Sequence, residues 1–583
     1  MNSLDYLIVG FYAVALIAIA TYVSRSKKGQ EKTPEDYFLA GRSLPWWAIG
    51  TSLIAANIAA DQIIGMNGDA YAFGMAIAVY EWTAAVALIV VGKFLLPVYL
   101  KQQVFTMPQL LSQRYDTRVS KLLAVLMLIM YVFVILPTIL WLGAKAVNNL
   151  TGLDLILSMI LLGLLSLAYS LYGGLKAVAF TDIIQVSLLI FAGLYVSYVG
   201  LNAISDGSGA WEGFMILQSE FPEKFDALLS YVPKEQDPEA YGNYVKLPGI
   251  WVLIGGMWIA HFYYWGTNQY ITQRALGAKS LNEAQNGLMF AGFLKILMPV
   301  VVVLPGLIAV ALEGTTIPSL EGDRSRAYPS MLSLLPNGIL GLTFAALVAA
   351  IVSSLASLTN SVSTIFTMDL YKGDISIEDK SLVKIGRRAG LVGLIISIIV
   401  APIFLGSLDS AFQYVQEYMG LFSPVILFVF LSAIVLKNST SNSVLWGSAA
   451  ALVAGVAMKL YVADTSESLI EPFMHQMAIS FFLAFVVSGL LSPKTENEKV
   501  FSLSASDFKT SNLFNIGLVG GVAGILGPIV SESPYPWLDH FSMILFTLIL
   551  IYWMLGKNLI RKHGILLLVL YALASATTWV ANS

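Results

Sequence analysis

Several residues sit where an apolar environment penalises them, and these carry the chemistry. Lys295 lies in Phe290-Ala-Gly-Phe-Leu-Lys295-Ile-Leu-Met-Pro299, near the middle of an apolar run. A central lysine in a spanning helix costs roughly 2.5–3.5 kcal/mol. It therefore either pairs with a carboxylate to lock two helices or lines a polar cavity and bonds a ligand. The run 46–75 holds Asn57, Asp61, Gln62, Asn67 and Asp69, with Gly65 and Gly68 among them. A lipid-facing helix does not tolerate that set, whereas a broken helix lining a cavity does. The other reading is the interfacial tail of a helix ending near 65. The run 248–272 has Pro248, Gly249, Gly255 and Gly256 before His261, Tyr263, Tyr264 and Trp265. Its glycine pair either breaks the helix or admits a close neighbour. Ser353, Ser354 and Ser357 fall within about one helical turn. Such hydroxyls either suit a hard monovalent cation or act as helix-packing glue. Glu81 and Asp182 stand near the starts of two apolar runs, as helix ends or as functional carboxylates.

The elements that must position these residues follow from composition. The chain has 583 residues, 57% hydrophobic and 12% charged, with a mean hydropathy of +0.75. Soluble domains carry about 25% charge, and disorder needs the opposite balance. The apolar runs are continuous, not alternating, which excludes a β-barrel. An all-α polytopic membrane protein remains, with the lipid bilayer as its partner. A net charge of −3 gives no basic surface for nucleic acid. The chain has no cysteine, no Gly-rich phosphate loop and no HExxH, so no enzyme constellation is present. Met1 to Tyr6 lack the basic region of a signal peptide, so the first run reads as a retained span.

Sixteen runs appear, near 4–23, 46–75, 77–100, 120–147, 153–173, 176–202, 248–272, 284–312, 336–370, 386–408, 411–436, 443–462, 469–491, 514–531, 541–556 and 563–581. The last few are the weakest, so the expected total is 14–16 spans. Lys and Arg fall in every second loop, among them Arg25, Lys101, Arg114, Lys176, Arg274, Lys380, Lys437 and Lys494. That side is predicted cytoplasmic, which puts the N-terminus and the acidic segment 203–247 outside. The two interrupted runs are the second and seventh, the spacing of five-helix inverted repeats.

Several motifs together resemble the sodium:solute symporter family, especially its bacterial sodium/galactose-type members. They are Ala-Gly-Arg-Ser-Leu-Pro-Trp-Trp (40–47), Ser-Leu-Ile-Ala-Ala-Asn-Ile (52–58), Tyr80-Glu-Trp82, Tyr-Gly-Gly-Leu-Lys-Ala-Val (172–178), Tyr-Tyr-Trp-Gly-Thr-Asn-Gln-Tyr (263–270), Ile-Val-Ser-Ser-Leu-Ala-Ser (351–357) and Tyr-Val-Gln-Glu-Tyr (414–418). The resemblance runs from about residue 4 to 490. It implies a LeuT-type fold: an extra helix and cytoplasmic loop in 1–45, a first five-helix repeat in 46–202, an outer loop in 203–247, an inverted repeat in 248–436 and peripheral helices in 437–583. It implies sodium-coupled import of a neutral monosaccharide, galactose- or glucose-like, across a bacterial inner membrane. Other solutes of the family (sialic acid, a polyol, proline) and a transporter-like sensor are the alternatives, though the chain shows no appended signalling domain. The implied sodium ligands are backbone oxygens of Ala55, Ile58 and Ala350 and hydroxyls of Ser353 and Ser354, with Asp182 at the sodium exit. A second ion would draw on Asp182, Ser353, Ala356 and Ser357. Ala356 brings no hydroxyl, so one sodium is expected. The implied sugar positions are Gln62, Glu81, Ala84, His261, Lys295 and Gln416. His261 stands where those members carry asparagine, and Ala84 where they carry serine. Tyr264 is the implied inner gate; Met66, Tyr80 and Phe412 form the outer lid.

Overall fold

A computed structural model describes residues 1–23, 33–320, 322–372, 379–406, 411–465 and 468–493. The predicted spans at 514–531, 541–556 and 563–581 lie outside the described residues. Up to residue 491, every predicted run carries helix. The reason is elementary: without water, each backbone N–H and C=O must be satisfied within its own segment.

The interruptions are where function concentrates. Trp46–Asn57 ends at Ile58, whose backbone leaves the helical region. The chain resumes as a wide turn over Asp61–Met66, then Asn67–Phe73. The polar cluster in 46–75 thus marks a break and not an interfacial tail. Asn67 pins the far half: its side-chain oxygen accepts the Gly306 N–H at 2.9 Å. In 248–272 the glycine pair does both things expected of it. The axis bends by 82° between Leu253 and Gly256, and a Cβ on Gly256 would lie 2.3 Å from the carbonyl of Met474. The run 284–312 is also bent, by 47° before Pro299, a turn its sequence signals only through that proline.

The runs 153–173 and 176–202 fall in one stretch of helical backbone, from Leu155 to Ile204. Yet Leu165 and Gln185 line one cavity with Val9 and Val352. Twenty residues of straight helix would separate them by about 30 Å. Gly143 likewise faces both Leu162 and Ile351, while Ser353, two positions on, donates to Asp182. Leu155–Ala168 and Val178–Ile204 therefore lie side by side, as two spans.

Loops assigned to one side meet at one end of the bundle. Arg114 donates to the carbonyls of Leu436 and Lys437, and Arg42 to those of Gln103, Val104 and Leu276. At the other end Asp5 accepts the N–H groups of Gly338 and Gly341, Lys145 pairs with Asp323, and Lys224 of the 203–247 segment donates to Tyr71 and Ala72. That segment forms two short helices, Ala210–Glu220 and Pro238–Lys246, not a domain.

One correction concerns Arg274. Read as a loop cation, it is buried to 1% exposure. The helix Gln269–Leu276 tucks beneath the broken run instead of hanging into water.

Close backbone approach joins the elements around the site. A Cβ on Gly50 would meet the Gly287 carbonyl at 2.7 Å, and one on Gly287 would meet that of Trp46 at 3.0 Å. Lipid offers no hydrophobic drive between helices, so small residues at crossings matter most. Gly74, which turns the chain between Phe73 and Val79, has φ 74° and ψ −153°. A Cβ there would also sit 2.3 Å from the Lys224 carbonyl. That backbone region costs other residues about 1–3 kcal/mol, before the clash. Gly74→Ala should lower the thermal midpoint in detergent clearly more than Gly152→Ala, where no atom crowds the added Cβ.

Candidate functional site

The break at Ile58 exposes carbonyls that the helix no longer consumes. Ser354 Oγ lies 3.4 Å from the Ala55 carbonyl and 3.3 Å from that of Ala56. Ala350 is buried one turn earlier on the same helix, Ile339–Ile365. Ala55, Ile58, Ala350 and Ser354 thus lie on the two elements that meet here. Ser353 does something else: its hydroxyl donates to Asp182 Oδ1. Ser52 donates to Asp182 Oδ2. Arg274 closes the group, with Nε on Ser52 Oγ at 2.6 Å, Nη2 on Ser357 Oγ at 2.7 Å and Nη2 at 3.4 Å from Asp182. All five residues are buried.

Beside this lies a second polar group. Lys295 Nζ is 2.6 Å from both carboxylate oxygens of Glu81, and both side chains are sealed from the surroundings. The carboxylate partner is the one the helix-locking reading of Lys295 required. Lys295 stands 5.4 Å from the Trp265 ring. His261 Nε2 is 2.7 Å from Thr83 Oγ1. Tyr80 packs edge-on against His261 at 6.4 Å and against Phe412 at 5.6 Å. Phe412 lies over Gly65, next to Met66. Met66, Tyr80 and Phe412 are all buried and gather on one side. Gln413 ties that side down by donating to Asp69 at 2.8 Å. On the other side, the half-buried Tyr264 accepts from Asn57 at 3.2 Å and contacts Tyr270. Gln416 follows Phe412 by four positions, on the same helix face. Ala84 is buried next to Thr83 and offers no polar atom.

Four buried polar atoms on these elements have no partner among the described residues: Asn57 Oδ1, Asp61 Oδ1, Gln62 Oε1 and Tyr80 Oη. Stranding a buried acceptor costs about 1–3 kcal/mol, so unpartnered buried atoms such as these call for a physical reason.

Sequence reasoning left several participants unassigned, Ser52 and Trp265 among them. Asn57 and Asp61 were visible only as signs of a break. Thr83 looked like any threonine in an apolar helix. Arg274 was hidden by the rule that puts basic residues in loops. Its signal was the polar stretch Thr272-Gln-Arg274 directly after the aromatic run.

A broken helix with released carbonyls, facing helix hydroxyls beside a buried polar cluster, defines a multi-pass membrane transporter of the LeuT-type fold. The model of the sodium:solute symporter family matches residues 37–450, and the chain belongs to that family. It is 42% identical over 539 residues to the sodium/glucose cotransporter of Vibrio parahaemolyticus, covering 89% of this chain and 96% of that one. Identity to sodium/glucose cotransporter 1 of Mus musculus is 31%, over 81% of this chain and 74% of that one. A solved sodium-coupled sialic acid symporter, substrate-bound and outward-open, shares the fold with a TM-score of 0.72 at 20% identity; the match covers 85% of this chain and all of that one. The protein is a sodium-coupled symporter and not an enzyme.

Proposed function

We propose that the protein imports a neutral monosaccharide, galactose- or glucose-like, together with one sodium ion by alternating access. The carrying observation is that the broken run holds three buried acceptors, at Asn57, Asp61 and Gln62, without a partner among the described residues, in a bundle that also buries the Glu81 carboxylate. Such a pocket needs a ligand rich in hydroxyl donors. The cations among the described site residues are paired, Lys295 with Glu81 and Arg274 with the Asp182 group. A carboxylate such as that of sialic acid would meet Asp61 and Glu81 without compensation, so a neutral sugar fits better.

In this reading Gln62, Glu81, His261, Lys295 and Gln416 bond the hydroxyls, with Ala84 filling space. Tyr264 closes the pocket from within, and Met66, Tyr80 and Phe412 from without. Sodium sits among Ala55, Ile58, Ala350, Ser353 and Ser354, and leaves past Asp182. Filling the cage fixes the broken helix against Ile339–Ile365 and so sets Gln62, four residues beyond Ile58. The coupling is reciprocal. One charge crossing 100 mV supplies about 2.3 kcal/mol. A tenfold sodium gradient adds about 1.4 kcal/mol, together enough for roughly 500-fold accumulation. The acidic end of the bundle, with the N-terminus, faces outward from a bacterial inner membrane.

Proteoliposomes with imposed sodium or choline gradients test this against labelled galactose, glucose, sialic acid, myo-inositol and proline. Sodium-driven hexose uptake is expected; uptake indifferent to sodium refutes the mechanism, and sialic acid uptake alone refutes the substrate. Ser354→Ala, which takes one oxygen from the cage, should raise the sodium concentration for half-maximal uptake about tenfold, as loss of one good ligand does.

A further inference from the structure

The imidazole of His261 is held by one polar contact, Nε2 to Thr83 Oγ1 at 2.7 Å. The Thr83 hydroxyl also bonds the carbonyl of Val79, one turn back on the same helix. A hydroxyl has one proton to give and lone pairs to accept with. The Val79 oxygen only accepts, so the proton is committed there. Thr83 Oγ1 therefore meets Nε2 as an acceptor, and Nε2 must carry the ring proton. The ring is buried and its polar contact is a hydroxyl, not a carboxylate; an imidazolium there would be desolvated with no counter-charge, so the imidazole is neutral. A neutral ring protonated on Nε2 leaves Nδ1 as a bare acceptor. Nδ1 has no hydrogen-bond partner among the described residues. Tyr80, edge-on at 6.4 Å, holds the ring plane.

We propose that Thr83 fixes the tautomer of His261 and thereby makes the pocket require a free hydroxyl donor on the sugar where it faces Nδ1. Thr83 is a positioning residue that acts through His261. The proposal rests on the neutral-sugar reading above and adds a selection rule to it. A sugar whose hydroxyl there is deleted, fluorinated or methylated leaves Nδ1 unpaired. Fluorine fails as fully as hydrogen does, because it cannot donate.

The test is competition for sodium-driven uptake of galactose and glucose by each monodeoxy and monofluoro derivative. At one ring position both derivatives should bind roughly tenfold to a hundredfold more weakly than the parent, the range set by stranding one buried acceptor. Thr83→Val keeps the side-chain shape but removes the acceptor, which frees the ring to protonate on Nδ1. The fluoro sugar at that position should then come within about threefold of the parent, while Thr83→Ser keeps the wild-type discrimination. Independently of any sugar, nitrogen-15 spectra of histidine-labelled protein report the tautomer, with His261 assigned by its loss in His261→Gln. Wild type and Thr83→Ser should show protonated Nε2 and bare Nδ1; Thr83→Val should not. A protonated Nδ1 in wild type, or unchanged discrimination in Thr83→Val, overturns the proposal. Absence of any hexose uptake with the expected spectrum overturns the substrate reading and the selection rule with it, and supports the tautomer assignment alone.

Discussion

Lys295→Ala should leave the protein in the membrane with sugar uptake reduced at least a hundredfold. Lys295 and Glu81 are joined by two 2.6 Å contacts and are almost completely buried. Removing one partner of a buried pair costs about 3–5 kcal/mol, because the other charge is left unpaired in a low-dielectric site. Each 1.4 kcal/mol is about tenfold in an equilibrium constant. The lysine also has a third proton, which the pair does not use and a sugar hydroxyl can accept. Lys295→Arg should not rescue uptake, because a planar fork cannot replace a compact ammonium between Glu81 and Trp265. The double variant Lys295→Met, Glu81→Gln separates folding from recognition. It removes both charges, so thermal stability should recover towards wild type while uptake does not. Sodium binding, measured by calorimetry, should persist in both variants. Wild-type uptake by Lys295→Ala would remove the sugar site from this part of the molecule.

What the chain discloses in one dimension is what depends on one dimension. Hydropathy found the helices through residue 491, because spanning backbone must satisfy itself locally. The cost of Lys295 was equally plain, since depth in an apolar run is a property of the run. Its partner was not: Glu81 stands 214 positions away, and only packing brings the two together. The break in 46–75 was announced by Asn57, Asp61 and Gln62, but its place at Ile58 depends on which carbonyls the neighbours can serve. The serines illustrate the limit best. Spacing put Ser353 and Ser354 on adjacent positions with equivalent prospects, and the resemblance assigned both to sodium. In the fold they diverge by about 100° around the helix, one to the Ala55 carbonyl and the other to Asp182. Arg274 was misread for a related reason. Charge placement treats every basic residue between apolar runs as solvated, and only the tertiary structure shows four acceptors waiting for a guanidinium.

Those acceptors lead to the second large effect. Arg274→Ala should destabilise the protein by about 3–5 kcal/mol, since it strands the Asp182 carboxylate among hydroxyls. The guanidinium bonds Ser52 on the near half of the broken run, Ser357 on Ile339–Ile365 and the Tyr270 carbonyl on its own helix. It faces Asp182 on Val178–Ile204 at 3.4 Å. It therefore clamps the two elements whose approach forms the Ser354–Ala55 contact. Losing the clamp should also weaken sodium dependence at least tenfold, since each 1.4 kcal/mol of lost preorganisation is worth that much. Arg274→Lys should behave nearly as badly, because a point charge cannot span several oxygens held in different directions. Asp182→Ala with Arg274→Ala should be more stable than the sum of the single effects, by over about 1 kcal/mol of coupling. Additive losses in that cycle would mean that the pair does not act as a unit. The clamp also occupies both oxygens of Asp182 through Ser52 and Ser353. If sodium leaves past Asp182, these bonds must open first, so weakening them through Ser52→Ala should speed sodium release while sugar recognition at Lys295 is unchanged.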